Sequence, residues 1–499
     1  MSDKIIFWLS PDLTFFCLSY YLKKKFDCEL YGIVDITDRP KTFFENQTLV
    51  NFKKLWFFHD NINIKNKIDY DYFSYFEKKY KINLWKLAIN ERIFYRFYDF
   101  HKFTTTEILS ILEQACKLFE KILDETKPDY IICREPGFHH MEIFYEMCKA
   151  IGIKVLMLSV PKIGFKCRIT QDPRYIDNFS TLDVVEGKNR TPDELKNYLK
   201  SYDPYKTSTD LVDKYNKNMG PSKKNFLLSA FQFLFISSNS NIHNHYNYFG
   251  RTKFRVILYQ INSLLTKKIR EQFMEKNLTK TPDLKTSFVY FALGVDLERN
   301  ILIDAPFCTN QTEIIRHVAK SLPVGYSLFV KEAFAQTSRG WRPKSEYKEI
   351  MNIPNVTLIH PSFSPQKLIE NSSLVITITG SSGFEAAFYQ KPSIIFTDTV
   401  YSILPSVFRV NIIEELPKIV QNALTTKVNS GDLDKYITLL ENQSFDFDWY
   451  GLQTKIGQWF YYNELLVDVD ISESLMKEFL DIHKDIFEKL ASEYIKKLT

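Results

Sequence analysis

Residues Leu374–Phe396 read LVITITGSSGFEAAFYQKPSIIF. The apolar runs at both ends predict two buried strands, and a short helix between them ends where Lys391-Pro392 interrupts the pattern. Directly before that helix come four small residues, Gly380, Ser381, Ser382 and Gly383. The stretch is therefore typical of a strand–turn–helix–strand unit in an α/β domain.

The small-residue turn has two interpretations. Bare backbone N–H groups at a helix N-terminus can bind a phosphate, because the helix dipole favours negative charge there. Glu385 follows in the first helical turn, where it could accept hydrogen bonds from ribose hydroxyl groups. In the other interpretation, the turn is an ordinary tight connection between a strand and a helix.

Length and composition set the frame for the rest of the chain. A chain of 499 residues is too long for one ordinary core, so two domains are expected. Apolar residues at 45% and charged residues at 25% are values of a globular protein. The net charge of +5 comes without a dense Lys/Arg tract, which argues against a nucleic-acid partner.

The cysteines and the first residues bear on the compartment. Seven cysteines are scattered without a CxxC pair, which predicts buried free thiols in a reducing compartment and argues against a zinc site. The apolar run Ile5–Leu9 is interrupted by Pro11 and Asp12, so no signal peptide is expected. These features predict a cytoplasmic protein.

Phe226–Ile236 is the longest apolar candidate for a membrane segment. It is about half of the roughly 20 residues that a membrane-spanning helix needs. The favoured prediction is a core helix. Because Lys223-Lys224 precede the run, a helix lying on a membrane surface is the alternative.

The first half alternates between strands and helices, which predicts a mostly parallel sheet covered by helices on both faces. The region 65–103, rich in Tyr, Phe and Lys, is predicted to be a helical insertion. The predicted strands are residues 4–9, 29–34, 54–58, 129–133 and 154–158.

In such sheets, ligands bind beyond the carboxyl ends of the strands. Two loops of the first half lie there: Ser10–Asp12 and Arg134–His140. Asp12, Glu135 and His139 are accordingly the candidate catalytic residues, with Glu135 or His139 as a general base or as a clamp on sugar hydroxyl groups. In the alternative, Glu135 pairs with Arg134 and the histidines cap the following helix.

The second half repeats the pattern, because its predicted strands also end in polar loops that would face one cleft. Lys331, Arg339 and Arg342 follow one of these strands and would offer cations to phosphates held by the small-residue turn. The alternative is structural, with Glu332 pairing to one of the arginines on the surface.

Six runs in the second half carry a resemblance to a known family. They are 327–332 (SLFVKE), 339–342 (RGWR), 353–359 (IPNVTLI), 368–372 (LIENS), 379–386 (TGSSGFEA) and 391–392 (KP). Together they resemble the donor half of GT-B glycosyltransferases, in particular the capsule polysaccharide biosynthesis proteins of the Kdo-transferase-like group. The resemblance covers about residues 285–400.

The resemblance implies a fold and a separate role for each of the two domains. The fold is α/β, with two Rossmann-like domains facing a cleft, helical insertions and a C-terminal helix. The nucleotide sugar would bind the second domain and the acceptor the first. Backbone N–H groups and cations would stabilise the departing phosphate, so no metal is expected. The residues implied in donor binding are Glu298, Lys331, Glu332, Arg339, Arg342, Gly380, Ser381, Ser382, Gly383 and Glu385.

The chain departs from the family pattern at two places. The family has Lys-Glu-His-Pro where this chain has Lys331-Glu332-Ala333-Phe334. Gly294 and Leu297-Glu298 stand where a histidine and a Pro-Glu pair are expected. The loss of both histidines leaves the identity of the donor open, and it keeps a non-catalytic family member as an alternative.

The function expected from these features is transfer of a sugar from a nucleotide-sugar donor, CMP- or UDP-linked, without another cofactor. The acceptor would be a surface polysaccharide, a glycan or a lipid-linked glycan, and peripheral association with the inner face of the membrane is an accompanying expectation. One alternative is transfer of a polyol phosphate from a CDP-activated donor. The other is a sugar-binding or scaffolding protein without turnover.

Three regions are predicted along the chain. Residues 1–282 form the acceptor-side domain with its insertions, 283–425 the nucleotide-sugar domain, and 426–499 a C-terminal helical region. A helix from Ser472 to Lys497 is expected to pack back on the body. Its apolar residues recur at helical spacing, at Leu475, Phe479, Ile482, Ile486 and Leu490.

Overall fold

The computed structural model describes residues 2–37, 39–65, 67–161, 163–201, 223–237, 245–338, 342–463 and 465–499, with side chains from residue 227 onward in the fifth range. The described strands form two sheets. In chain order they are β1 Asp3–Leu9, β2 Cys28–Val34, β3 Phe52–Phe57, β4 Tyr130–Arg134, β5 Lys154–Ser159, β6 Lys166–Thr170, β7 Phe288–Ala292, β8 Ser327–Lys331, β9 Val356–Ile359, β10 Leu374–Thr377, β11 Ser393–Ile395, β12 Val407–Arg409 and β13 Phe445–Asp446.

The first sheet has the strand order β13-β6-β5-β4-β1-β2-β3. Strands β1 to β5 run parallel, and β6 and β13 extend the sheet as antiparallel neighbours. The second sheet has the order β12-β11-β10-β7-β8-β9 and is parallel throughout. Parallel pairing requires crossover connections, which accounts for the alternation of strands and helices in the sequence.

The helices cover both faces of the two sheets. They are α1 Thr14–Lys25, α2 Pro40–Asn46, α3 Tyr70–Tyr80, α4 Leu84–Asn90, α5 Thr105–Thr126, α6 His139–Ala150, α7 Pro192–Ser201, α8 Lys223–Phe231, α9 Lys253–Asn277, α10 Arg299–Leu302, α11 Gln311–Ser321, α12 Phe334–Ser338, α13 Lys344–Met351, α14 Pro365–Asn371, α15 Ser382–Phe388, α16 Leu416–Thr425, α17 Ser430–Asn442, α18 Trp449–Phe460, α19 Glu473–Ile482 and α20 Lys484–Leu498. Arg92–Arg96 and Gln232–Ile236 are short π-helical turns.

Alternating side chains of β1 show how the first sheet is buried. Ile5 and Phe7 belong to one hydrophobic cluster, whereas Ile6 and Trp8 belong to another on the opposite face. The second sheet is likewise apolar on both sides, as the strand residues Val289 and Tyr290 pack into different clusters. Burial on both faces is typical of parallel sheets and confirms the predicted pair of Rossmann-like domains.

The C-terminal region returns to the first domain. Strand β13 pairs with β6, and helix α20 packs against α1, where the rings of Tyr21 and Phe487 are stacked with centroids 6.2 Å apart. The prediction of one continuous helix over 472–497 is wrong. His483 separates α19 from α20, and Ile482 beside this break is exposed.

Two further observations concern the domain organisation. Part of the first half, represented by Leu195 and Leu199 of α7, packs in one cluster with Phe384 of the second domain and Tyr436 of the C-terminal region. Thr279 pairs with β9 before the predicted boundary at residue 282 is reached. The boundaries between the three regions remain predictions.

The prediction of a core helix at Phe226–Ile236 is wrong. Leu227, Phe231 and Phe235 are exposed, as are most of the described large apolar side chains of this run. Apolar composition alone could not separate a buried helix from an apolar surface helix. Among the helices described, none has an apolar stretch long enough to cross a membrane.

Candidate functional site

A cleft of about 1200 Å³ lies between the two sheets. Its walls come from the loops that follow strands β1 to β5 in the first domain and β7, β10 and β11 in the second. All of these are carboxyl ends of parallel strands, the edge at which α/β sheets bind ligands. The architecture is that of a GT-B fold.

Asp12 lines the cleft just after β1. Its Oδ1 accepts a hydrogen bond from the backbone N–H of Thr14 at 3.0 Å, which holds the carboxyl group at the start of α1. Burial raises the pKa of Asp12, while the charge of Arg134 acts in the opposite direction. Asp12 as a whole residue is half-buried. A carboxyl with a raised pKa beside a cleft is well suited to accept a proton.

His139 also lines the cleft, but its imidazole is buried against Glu91. Glu91 accepts hydrogen bonds from Nδ1 of His139 at 2.8 Å and from its backbone N–H at 2.9 Å. Burial alone would raise the pKa of Glu91, but the bonds and charge of His139 outweigh it and hold the pKa at about 2. The pKa of His139 is lowered by burial. Glu91, not a histidine, thus caps helix α6.

A second buried group has three members, His140 and two residues that the sequence analysis did not identify, Asp35 and His59. Asp35 accepts hydrogen bonds from Nε2 of His59 at 2.9 Å and from Nε2 of His140 at 3.0 Å. Burial raises the pKa of Asp35, but the two imidazoles outweigh that effect and lower it well below its usual range. Asp35 and His59 closely follow strands β2 and β3, so the carboxyl-end rule could have found them.

Two other observations concern metal ligands and cysteines. Among the residues that the structure describes, no group of three or more His, Cys, Asp or Glu side chains is arranged to hold a metal ion. Six of the seven cysteines, among them Cys17 and Cys133, are buried, and Cys308 is half-buried. All seven are free thiols.

Glu135 lies in the cleft but pairs across the domain interface. Its Oε2 is 3.3 Å from Nη1 of Arg299, which belongs to the second domain. Arg299 also donates to the backbone carbonyl of Pro136 at 2.7 Å. The alternative in which Glu135 pairs with Arg134 is not observed, since the Arg134 guanidinium lies over the ring of Trp449 at 5.3 Å. Glu298, the predicted donor-side residue beside Arg299, lines the same part of the cleft.

Arg168 is a buried cation on the cleft lining that the sequence did not single out. Its guanidinium donates to the backbone carbonyls of Tyr175 at 2.7 Å and Pro173 at 2.8 Å. Nε is buried without a hydrogen-bond partner among the described residues. Both partners are uncharged carbonyl groups. Burial lowers the pKa of Arg168, while the charges of Asp177, Glu135 and Asp172 act in the opposite direction. Such a group favours an anion in the cleft.

Arg342 lies off the cleft, inside the second domain, where its side chain is 2% exposed. Its Nε donates to Oε2 of Glu332 at 2.7 Å, and its Nη1 forms an ion pair with Asp296. The hydroxyl group of Tyr347 donates to the same Glu332 oxygen at 2.8 Å. The structure therefore favours the ion-pair alternative for Arg342 and Glu332, with the difference that the pair is buried. Arg339 lies outside the described residues.

Lys331 is also buried in the second domain rather than on the lining of the cleft. Nζ donates to the backbone carbonyl of Glu332 at 3.5 Å. Burial lowers the pKa of Lys331 to about 8, with Glu332 acting in the opposite direction. The structure thus places Lys331 away from the lining of the cleft, and its contact with a phosphate stays a prediction.

Replacing Lys331 with methionine is expected to stabilise the protein by about 1–3 kcal/mol near pH ~7, because burying an ammonium group is unfavourable. The folded-state pKa of about 8 lies below the ordinary value of 10.5, so the penalty is complete below about pH 8 and disappears as the pH approaches 10.5. Urea unfolding of both proteins should show an advantage that shrinks over this range. Equal stabilities at neutral pH would contradict the expectation. Lost nucleotide affinity would instead support the phosphate role predicted from the sequence.

The small-residue turn joins β10 to α15, and Ser381 lines the cleft. The two glycines are explained by packing. A Cβ on Gly380 would lie 2.6 Å from the hydroxyl oxygen of Thr377, and one on Gly383 would lie 2.8 Å from the hydroxyl oxygen of Tyr401. Both contacts are shorter than real Cβ atoms allow, so a side chain at either position would have to displace Thr377 or Tyr401 whether or not a ligand binds.

The other residues of the turn have protein partners or helical positions. The Ser381 hydroxyl donates to Oε1 of Glu385 at 2.8 Å, and Glu385 is buried in α15. Ser382 is the first residue of that helix. The structure thus brings Ser381 to the cleft and leaves the predicted ribose contact of Glu385 and the phosphate contacts of the turn as predictions.

No family model matches the chain, and no curated protein matches it in sequence. Solved structures with a similar arrangement include UDP-GlcNAc 2-epimerase from Methanocaldococcus jannaschii, with 13% identity, coverage of 89% of this chain and 100% of that one, and a TM-score of 0.24. Another is the beta Kdo 2,7 transferase KpsC from Thermosulfurimonas dismutans, with 12% identity and a TM-score of 0.28. The match covers 72% of this chain and 98% of that one. HepE from Anabaena, in complex with UDP and glucose, has 10% identity and a TM-score of 0.25. The match covers 91% of this chain and 98% of that one. At such TM-scores the fold assignment rests on the sheet topology.

Proposed function

We propose that the chain is a glycosyltransferase that moves a sugar from a nucleotide-sugar donor to a glycan acceptor within the cleft. One observation carries the proposal: the cleft joins the carboxyl ends of the parallel strands of both sheets and has chemically different walls. The first domain contributes Asp12, a carboxyl group with a raised pKa. The second contributes the turn at Ser381. A donor and an acceptor could therefore meet between a proton acceptor and a phosphate-binding turn.

The donor is proposed to bind against the second domain. The resemblance of residues 285–400 to the donor half of GT-B glycosyltransferases supports this side, with CMP and UDP as the nucleotides to consider. Arg168 supports it from the opposite wall. Tyr436 lies near both walls, because its ring centroid lies 5.3 Å from that of Phe384 in α15 and the charge of Arg168 acts on its pKa, against the larger effect of burial, which raises it. A phosphate bound between the turn and Arg168 would meet a guanidinium that forms no direct ion pair among the described residues.

Asp12 is proposed to act as the general base. Its carboxylate would take the proton of the acceptor hydroxyl group as that oxygen attacks the anomeric carbon of the donor. The bond from the anomeric carbon to the phosphate oxygen breaks, and the nucleotide leaves with both bonding electrons. Arg168 would favour this step because negative charge grows on the departing phosphate. His139 and Glu135, the other candidates from the sequence, are already engaged by Glu91 and Arg299.

Nucleotide affinity of an Arg168→Gln variant tests the donor side. The variant is expected to bind CMP, CDP or UDP, whichever the parent binds best, about 10- to 100-fold more weakly, because a charge-assisted bond contributes about 1.5–3 kcal/mol. The matched control is Arg190→Gln. Arg190 is neutralised by Asp434 and Glu441 and lies outside the cleft lining, so its loss should leave affinity unchanged. Calorimetric titration measures both, after thermal unfolding has shown that each variant is folded.

The same titrations separate the proposal from its alternatives. Binding of a nucleotide with turnover of a nucleotide sugar supports glycosyl transfer. Turnover only with a CDP-activated polyol would indicate the polyol-phosphate transferase instead. If no nucleotide binds the parent protein, the proposal is overturned and the scaffolding alternative stands.

A further inference from the structure

An exposed apolar surface is formed by helix α9 together with the segment Leu227–Ile236. Helix α9 has 25 residues, yet only Met274, near its C-terminal end, is buried. Its large apolar side chains are exposed in a repeating pattern, at Phe254, Ile257, Leu258, Ile261, Leu264, Leu265 and Ile269. Spacings of three and four residues place these side chains on one side of the helix over about 20 Å.

The segment Leu227–Ile236 extends this surface. Leu227, Phe231 and Phe235 are exposed there. Nζ of Lys253, at the start of α9, donates to the backbone carbonyl of Leu234 at 2.7 Å, so the two apolar regions adjoin. Gln232 fixes the segment to the body through a hydrogen bond to Tyr462 at 2.7 Å. The surface is therefore held in place by the fold.

The charges of α9 are of one sign along the apolar stripe. Between residues 253 and 270 the helix carries five cations and no acidic residue: Lys253, Arg255, Lys267, Lys268 and Arg270. Beyond the stripe, α9 carries two acidic residues, Glu271 and Glu275. Glu275 is paired with Lys280 and His360. An apolar stripe flanked by lysine and arginine is the pattern of a helix that lies in the interface of an anionic membrane.

We infer that this surface, formed by α9 and Leu227–Ile236, binds an anionic lipid bilayer. The apolar side chains would enter the boundary between headgroups and acyl chains, and cations such as Lys267 and Lys268 would contact lipid phosphates. A second copy of the chain is a poorer occupant, because helices packed through this stripe would bring five cations against five. The inference goes beyond the proposed function and does not depend on it.

The apolar surface formed by α9 and Leu227–Ile236 lies close to the cleft. Tyr246, Asn247 and Tyr248 line the cleft, and α9 begins only a few residues later at Lys253. The ring of Tyr259 in α9 lies 5.1 Å from that of Phe100, and Arg255 donates to the Phe100 carbonyl at 2.9 Å. A bilayer on this surface would therefore lie beside one wall of the cleft.

Co-sedimentation with vesicles tests the inference. The full chain is expected to bind vesicles of phosphatidylcholine with about 30% phosphatidylglycerol, to bind phosphatidylcholine alone more weakly, and to be released as salt rises from about 0.1 M to about 1 M. The double variant Leu264→Glu, Leu265→Glu should reduce the bound fraction by about ten-fold or more. These side chains are 68% and 60% exposed, so the fold should be unaffected.

Val324→Glu is the matched control. Val324 is a fully exposed apolar residue before β8, distant in sequence from the surface, and its change should leave vesicle binding intact. Vesicle binding that is unaffected by the double variant would overturn the inference. So would absence of vesicle binding together with a dimer in solution that the double variant dissociates, since the surface would then belong to a second copy. Each experiment omits substrates, so failure here is distinct from failure of the proposed transferase.

Discussion

Replacing Asp12 with asparagine is expected to lower turnover by at least about 100-fold while nucleotide affinity and stability change little, since general base catalysis typically contributes 10²–10⁴. Asparagine keeps the size of the side chain and can still accept the hydrogen bond from Thr14. It cannot take a proton from the acceptor. Initial rates with a nucleotide sugar, measured beside calorimetric titration of the nucleotide, check both parts of the expectation.

The pH dependence of the parent enzyme gives an independent test of Asp12. Because burial raises its pKa, the carboxylate form required of a base is lost at a higher pH than for an ordinary aspartate. The value of kcat/KM should therefore fall as the pH drops through this raised pKa. Any residual activity of Asp12→Asn should lack that acid limb.

Two matched variants separate Asp12 from the other candidates. Glu135→Gln removes a carboxylate that is paired with Arg299, and His139→Gln removes an imidazole held by Glu91. Both should retain far more turnover than Asp12→Asn, when compared at equal folded fraction. A larger loss in Glu135→Gln, with Asp12→Asn nearly active, would move the role of base to Glu135.

Replacing Arg342 with methionine is expected to destabilise the protein by about 3–5 kcal/mol, because it leaves two buried carboxylates without their cation. Those carboxylates are Glu332 and Asp296, both buried inside the second domain. Urea unfolding at neutral pH measures the change. Lower pH should reduce the difference between variant and parent, because protonating the orphaned carboxyl groups removes their charge.

Arg316→Met is the control for this prediction. Arg316 also pairs with two carboxylates, Glu313 and Glu349, but its side chain is 37% exposed. Exposed ion pairs contribute about 0–1 kcal/mol, so this variant should be nearly as stable as the parent. If Arg342→Met is no less stable than Arg316→Met but loses nucleotide binding, the sequence-based assignment of Arg342 to the phosphates would be restored.

The fold could be predicted from the sequence because its signals are local. The run Leu374–Phe396 contains its strands, its turn and its helix within 23 residues, and the structure has each of them. The position of Asp12 on the cleft was likewise predictable locally, since the rule that ligands bind at carboxyl ends needs only the end of a strand. Asp35 and His59 obey the same rule, and applying it to β2 and β3 would have identified them.

The partners of the charged side chains could not be predicted, because they depend on contacts between distant residues. Arg342 meets Asp296 across 46 positions of sequence, and His139 meets Glu91 across 48. Only the folded arrangement shows that these pairs are buried, which decides between a ligand contact and an internal ion pair. The prediction of a core helix at Phe226–Ile236 was wrong for a related reason, because an apolar run gives no information on which part of the protein covers it.

The interlacing of the two domains has a consequence for how the protein unfolds. Leu195 and Leu199, from the first half of the chain, fill a cluster of the second domain, while β13 and α20, from the last part, complete the first. Neither domain holds all of its own core as one continuous segment. Fragments cut near residue 282 would expose apolar surface on both pieces, so we expect the whole chain to unfold in one cooperative transition rather than domain by domain.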